Sequence, residues 1–159
     1  MRRKEREIKD TETIVSIIEH MRTIRVAIAS DDAPYIVPLS FGFERNGDDF
    51  IFYLHSAKEG RKIELIGKNP AVGFEMDECL KLKGEEEACT WTAEYVSVIG
   101  TGELKLVENS EEKKHGLEVL MKSMTGKSFD IPYSALDHVA VLRLDVKSIS
   151  AKGNGFIGF

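Results

Sequence analysis

Phe52-Tyr53-Leu54-His55-Ser56-Ala57-Lys58-Glu59-Gly60-Arg61-Lys62 is the stretch on which the reading of this chain turns. An apolar, β-prone run ends in a His-Ser pair, a short cationic segment follows, and an apolar helical pattern then begins. The first N–H groups of a helix have no intrahelical partner and point outward, so a strand that hands over to a helix in this way makes a place for an anion. Lys58, Arg61 and Lys62 are spaced i, i+3, i+4 and share one side if the helix includes them all. His55 and Ser56 add an imidazole and a hydroxyl. The spacing reads as a grip on a phosphorylated cofactor. It also describes a solvated basic helix start, and the stretch by itself leaves both readings open.

Working outward, Phe50 to Leu54 forms the strand that feeds this motif, and Asn69-Pro70 ends the helix that leaves it near Lys68. Upstream, Ile14, Ile17, Ile18 and Met21 make one apolar stripe on a helix over Thr11 to Met21, which Asp10 or Thr11 can cap. His20 lies off that stripe, at the surface. Thr23 to Ala29 alternates as a half-buried strand, Ser30 to Pro34 turns, and Tyr35 to Phe43 returns as a second strand. Pro38 has no N–H for a ladder, so it marks an edge or a bulge and leaves backbone groups free for a flat ring. Asn46-Gly47 signals a hairpin.

Downstream, Ala71 to Met76 reads as a strand, and Asp77 to Ala88 as a charged, exposed excursion. Cys89 to Val107 is a long β-prone run with Gly100 and Gly102 inside it, which suggests a bulge or a close approach. Asn109-Ser110 caps a helix carrying Leu117, Leu120, Met121 and Met124, and Gly126 ends it. Pro132 to Asp137 is irregular or one helical turn, and Val139 to Ile149 is the last strand. One domain over residues 1–150 is expected, with Ala151 to Phe159 a flexible or partner-docking tail. Strands joined by hairpins and outnumbering the helices give a mainly β, α+β fold: a small antiparallel barrel with flanking helices.

Composition narrows the function. A chain of 159 residues with 42% hydrophobic and 31% charged residues suits a globular protein in water. Its net charge of −5 argues against nucleic acid as a partner. Met1 to Asp10 is mostly charged, no apolar run reaches membrane-spanning length, and a cytoplasmic, non-membrane protein is expected. Cys79 and Cys89 are expected as small buried hydrophobes rather than a disulfide, and the scattered histidines show no metal-ligand spacing, so no metal site is assigned. No nucleophile elbow, Walker loop or Gly-x-Gly-x-x-Gly fingerprint occurs. A phosphate grip without a catalytic set points to chemistry supplied by a cofactor.

The motifs in order are Pro34-Tyr35-Ile36-Val37-Pro38-Leu39-Ser40-Phe41-Gly42, the opening stretch, Asn69-Pro70-Ala71-Val72-Gly73-Phe74-Glu75, and Tyr95-Val96-Ser97-Val98-Ile99-Gly100-Thr101-Gly102. In that order they resemble the pyridoxamine 5′-phosphate oxidase-like, flavin-binding split-barrel superfamily, and within it the 5-nitroimidazole-resistance group. The resemblance covers Met1 to Ile149. It implies a six-stranded split barrel, a homodimer with flavin at the subunit interface, and FMN, with FAD as the less frequent alternative. It implies that Lys58, Arg61 and Lys62, with His55 and Ser56, hold the phosphate. Val37, Pro38, Leu39 and Ser40 then face the isoalloxazine, and Ser97 and Val98 approach the flavin from the other subunit. His55 takes the catalytic place, in a nitroreductase passing electrons from a nicotinamide donor to a small acceptor. Many oxidases of the superfamily carry a phosphate-binding arginine in the second strand. Tyr35 to Leu39 has none, which sets pyridoxamine-phosphate oxidation aside. A non-enzymatic flavin or haem carrier, with His55 as axial ligand, and a cofactor-free interaction module are the other readings.

Overall fold

The computed structural model describes residues 3–159. A single 3₁₀ turn at Lys4–Arg6 and a two-residue strand β1 (Glu7–Ile8) lead into α1 (Thr11–His20). There follow β2 (Ile24–Ile28), β3 (Tyr35–Leu39), β4 (Phe41–Asn46) and β5 (Asp49–Ser56), then α2 (Arg61–Lys68). The rest is β6 (Ala71–Lys83), β7 (Thr92–Leu106), α3 (Ser110–Thr125), the single turn α4 (Tyr133–Leu136) and β8 (Ala140–Asn154). No described helix is long and apolar enough to cross a membrane.

All strands belong to one antiparallel eight-stranded sheet, ordered β3-β2-β6-β7-β8-β5-β4, with β1 added on β8. The two ends of that order, β3 and β4, are consecutive in the chain and separated only by Ser40. A sheet whose outermost strands are joined by one residue must curl until they meet, so it closes as a barrel without a ladder between β3 and β4. This corrects the expected six strands to eight. Tyr35 to Phe43 reads as one strand by its alternation, but it breaks at Ser40 because β3 pairs with β2 while β4 pairs with β5. Pro38 lies on β3, an edge strand, as a residue without an N–H requires.

The barrel core follows from the strand period. Ile24, Val26 and Ile28 of β2, Phe52 and Leu54 of β5, Val96 and Val98 of β7, and Leu142 and Leu144 of β8 are wholly buried together, with Ile17 and Ile18 of α1 closing one opening. Phe52 sits amid Phe41, Phe43 and Phe74 at ring-centroid distances of 5.4 Å, and its burial contributes about 2–3 kcal/mol. On the other face of β5, Ile51 and Tyr53 pack under α3 with Val107 and Val141. Burial there, with Glu44 beside it, pushes the Tyr53 phenol up to about 12.

Helix ends behave as the sequence suggests. Asp10 accepts the Thr13 N–H at 2.8 Å, Asn109 accepts the Glu112 N–H at 3.0 Å, and Gly126 ends α3 at φ 73°. Asn109→Ala leaves that N–H unpaired and is expected to cost about 1 kcal/mol, read as a lower urea midpoint with unchanged slope. A midpoint equal to that of the parent chain contradicts it. The β4–β5 turn is centred on Gly47-Asp48 rather than Asn46-Gly47, with positive φ at Gly47 alone. That is the pattern of a hairpin turn with glycine first.

The remaining differences lie beyond the barrel wall. Asp77 to Lys83, expected as an exposed excursion between strands, is largely exposed but continues β6 and pairs with β7 as a projecting ribbon. Cys79 and Cys89, expected buried, are exposed free thiols because they sit on that ribbon and its tip, where there is no core to enter. The expected tail begins later than Ala151: β8 runs to Asn154, with Ala151 buried opposite Ile8 and Val98. After it, Phe156 packs on the core and Phe159 stacks on His20 at 3.5 Å.

Candidate functional site

The opening stretch lies at the corner where the barrel closes. Phe41 pairs with Leu54, so Ser40 falls beside His55 as the chain crosses from β3 to β4. Leu54 points into the core, which turns His55 outward at the strand end, exposed and without a side-chain hydrogen bond among the described residues. Ser56 donates its hydroxyl to the Ala57 carbonyl at 2.7 Å. Val37 and Leu39 lean on the core, while Ile36 and Pro38 face out. As an edge strand, β3 leaves alternate backbone N–H and C=O groups without a ladder partner.

The cations come next along the chain. Gly60, at φ 118°, forms the N-cap of α2 and offers no side chain to the helix start. The first intrahelical bond is Glu64 N–H to the Gly60 carbonyl, so the N–H groups of Arg61, Lys62 and Ile63 have no partner among the described residues. The helix begins at Arg61, so Lys58 stands in the exposed loop before it rather than on one helical face with the others. Arg61 reaches back to β3: its guanidinium donates to Ser30 Oγ at 3.2 Å and lies over the Tyr35 ring at 5.0 Å. Lys62 is half-buried, and loss of hydration pushes its ammonium below the usual lysine value.

No carboxylate pairs with Lys58, Arg61 or Lys62 among the described residues. Arg25 differs: Glu75 and Asp77 bind it at 3.1 and 3.0 Å, which neutralises it as an outward strand residue. Uncompensated cations, one of them desolvated, beside free helical N–H groups make a donor set that fits a phosphate monoester. Ser30 and Tyr35 hold the Arg61 guanidinium in place. They lie in the β2–β3 turn and at the start of β3, distant in sequence, and only the barrel closure brings them to Arg61.

Ser97 and Val98 are not brought to this cluster within one chain. Ser97 pairs with Lys152 near the far end of β8, whereas His55 pairs with Val141 near its start. Val98 is wholly buried in the core. Ser97 is 8% exposed, and its hydroxyl is buried without a partner. Two recesses among the described residues also lie apart from the cluster. A groove of about 590 Å³ runs between β4 and α3, and a recess of about 420 Å³ lies on the outer face of β2, β3, β6 and β7. Neither includes His55, Lys58, Arg61 or Lys62.

A family model described as pyridoxamine 5′-phosphate oxidase matches residues 10–153. The chain belongs to the pyridoxamine 5′-phosphate oxidase family. Its barrel is similar to that of a Bacteroides thetaiotaomicron protein described as a 5-nitroimidazole antibiotic resistance protein, at 30% identity, a TM-score of 0.79, and coverage of 92% of this chain and 86% of that one. A flavocytochrome of Azotobacter vinelandii (18% identity, TM-score 0.78, covering 100% and 74%) shares the fold. So does an FAD- and haem-binding protein of Mycobacterium smegmatis (15%, 0.79, 97% and 76%). No curated protein matches in sequence.

Proposed function

We propose that this member of the pyridoxamine 5′-phosphate oxidase family binds FMN at the barrel corner and works as a flavin-dependent oxidoreductase of the nitroreductase type. Electrons would pass from a nicotinamide donor to a small acceptor. The observation that carries the reading is the set of unpaired cations at the start of α2, with Lys62 half-buried beside free N–H groups. Bound flavin supplies the two-electron chemistry; the chain supplies position and charge. Arg61 and Lys62 neutralise the phosphate. Lys58, in its loop, adds positive charge, and Ser56 would donate its hydroxyl to a phosphate oxygen in place of the Ala57 carbonyl. Val37, Pro38, Leu39 and Ser40 offer unladdered backbone to the ring edge. His55, at the strand end beside Ser40, is the candidate donor near the ring. FAD is the alternative, since residues 57–61 before and at the helix start are exposed.

A second copy of the chain is the proposed partner, because one chain holds only part of the set. The outer face of β2, β3, β6 and β7 bears Ile36 at 61% and Ile99 at 44% exposure over a floor of Gly73 and Gly100, and it runs on to Pro38. Covering that apolar face brings a neighbour against the corner. There Ser97 of the partner subunit and the main chain at Val98 beside it would approach the ring edge, with the Ser97 hydroxyl held inside its own chain. A cytoplasmic setting fits two exposed thiols left unpaired.

The test is the visible spectrum of the purified protein, with mass spectrometry of what heat releases. Flavin bands with FMN in the supernatant support the reading. A Soret band moves it to haem binding through His55, and a colourless protein that takes up no added FMN refutes it. His55→Ala is expected to slow flavin reduction or loosen the flavin; unchanged flavin content together with unchanged reduction rate removes His55 from the site.

A further inference from the structure

The 590 Å³ groove between β4 and α3 shares no residue with the flavin reading. Its apolar lining is Phe43 and Val119, faced by Phe129 at 42% exposure. The wall that carries Phe129 is tied down. Lys114 donates to Asp130 at 2.6 Å, and the Ile131 N–H donates to Glu118 at 3.4 Å, so the chain after Gly126 folds back along α3. The opening therefore exists before any ligand arrives, which lowers the ordering cost of binding.

The charge on this groove is lopsided. Glu19, Glu44 and Glu118 line it against Lys122. His115 donates through Nε2 to one oxygen of Glu44 at 2.7 Å and stands edge-on to the Tyr53 ring, which fixes the carboxylate and leaves its other oxygen without a hydrogen bond among the described residues. Glu19 makes no ion pair among the described residues. Ser123 accepts the Phe43 N–H at 3.1 Å, so its own proton is available. No three ligating side chains gather in metal geometry among the described residues, and the carboxylates disfavour an anion.

We propose that this groove is a second binding site, which takes a small organic cation with an aromatic body. The ring lies against Phe43 and Phe129, where offset packing and the negative ring faces both favour it. The ammonium lies between Glu44 and Glu19, where two carboxylates balance its charge.

Phenethylammonium and its anionic counterpart 3-phenylpropionate are the probes, titrated into the full isotope-labelled chain and followed by backbone amide shifts. Phenethylammonium is expected to move the amides of Phe43, Val119 and Phe129, with at least tenfold preference over phenylpropionate. Phe129→Ala and Glu19→Gln, both at exposed side chains, are each expected to weaken it severalfold while the urea midpoint stays put. Equal binding of the two probes, no groove shifts at millimolar probe, shifts confined to Val37–Ser40 or Arg61–Lys62, or full affinity in Phe129→Ala would each overturn the proposal. None of these outcomes depends on whether flavin binds.

Discussion

Replacing Gly42 by alanine is expected to destabilise the fold by about 3 kcal/mol. A Cβ at Gly42 would stand 2.7 Å from the Val119 carbonyl carbon and closer still to the N and Cα of Leu120, all backbone atoms that no rotamer can move. Gly116 is its counterpart on α3, where a Cβ would meet the Tyr53 ring at 2.6 Å. These two glycines, one on the strand and one on the helix, let α3 lie directly on β4 and β5. Gly42→Ala must push the helix off and open the cluster of Ile51, Tyr53, Val107 and Val141. Gly67→Ala is the control: it is helical, has ordinary φ and nothing within 4 Å of an added Cβ, and is expected to stabilise by up to about 1 kcal/mol. Urea denaturation of the two variants decides. Equal midpoints would show that α3 does not depend on this close approach.

Removing the cations is the second large effect. Lys62→Ala is expected to weaken FMN binding by about 2 kcal/mol, roughly thirtyfold, because a charge-assisted bond to a partly desolvated ammonium is lost. Arg61→Ala should do the same and also free Ser30 and Tyr35, whose contacts fix the guanidinium. Lys58→Ala should cost much less, since its side chain stands in an exposed loop where water screens it. Fluorescence titration with FMN gives the order: Lys62 and Arg61 well ahead of Lys58. Equal losses at all three positions would mean that general attraction, rather than the helix start, holds the ligand.

How much of this was legible in the sequence depends on what each residue answers to. Helices α1, α2 and α3 were readable because their apolar stripes and caps are local: Ile14, Ile17 and Ile18 share a face, and Asn109 and Gly126 bound α3. The cation cluster was legible as composition, yet its geometry was not. A periodicity argument puts Lys58 on the helix, and only the glycine conformation at Gly60 shows that the helix starts later. The break at Ser40 was hidden for another reason. Alternation continues through it, and what divides β3 from β4 is the choice of partner strand, which local sequence does not encode. The same holds for Cys79 and for Asp77 to Lys83. Their burial depends on how far β6 outruns the barrel, a property of the whole sheet. The groove beside His115 joins β4 to α3 across a wide stretch of chain, and no spacing pattern announces it.

A phosphate grip at the start of α2 is best tested by measuring the affinity of the flavin-free protein for FMN and for riboflavin, which differ in that phosphate alone. FMN is expected to bind at least a hundredfold tighter, equivalent to about 3 kcal/mol, with the difference largely gone in the Arg61→Ala, Lys62→Ala double variant. Equal affinity for the two flavins in the parent protein would contradict it.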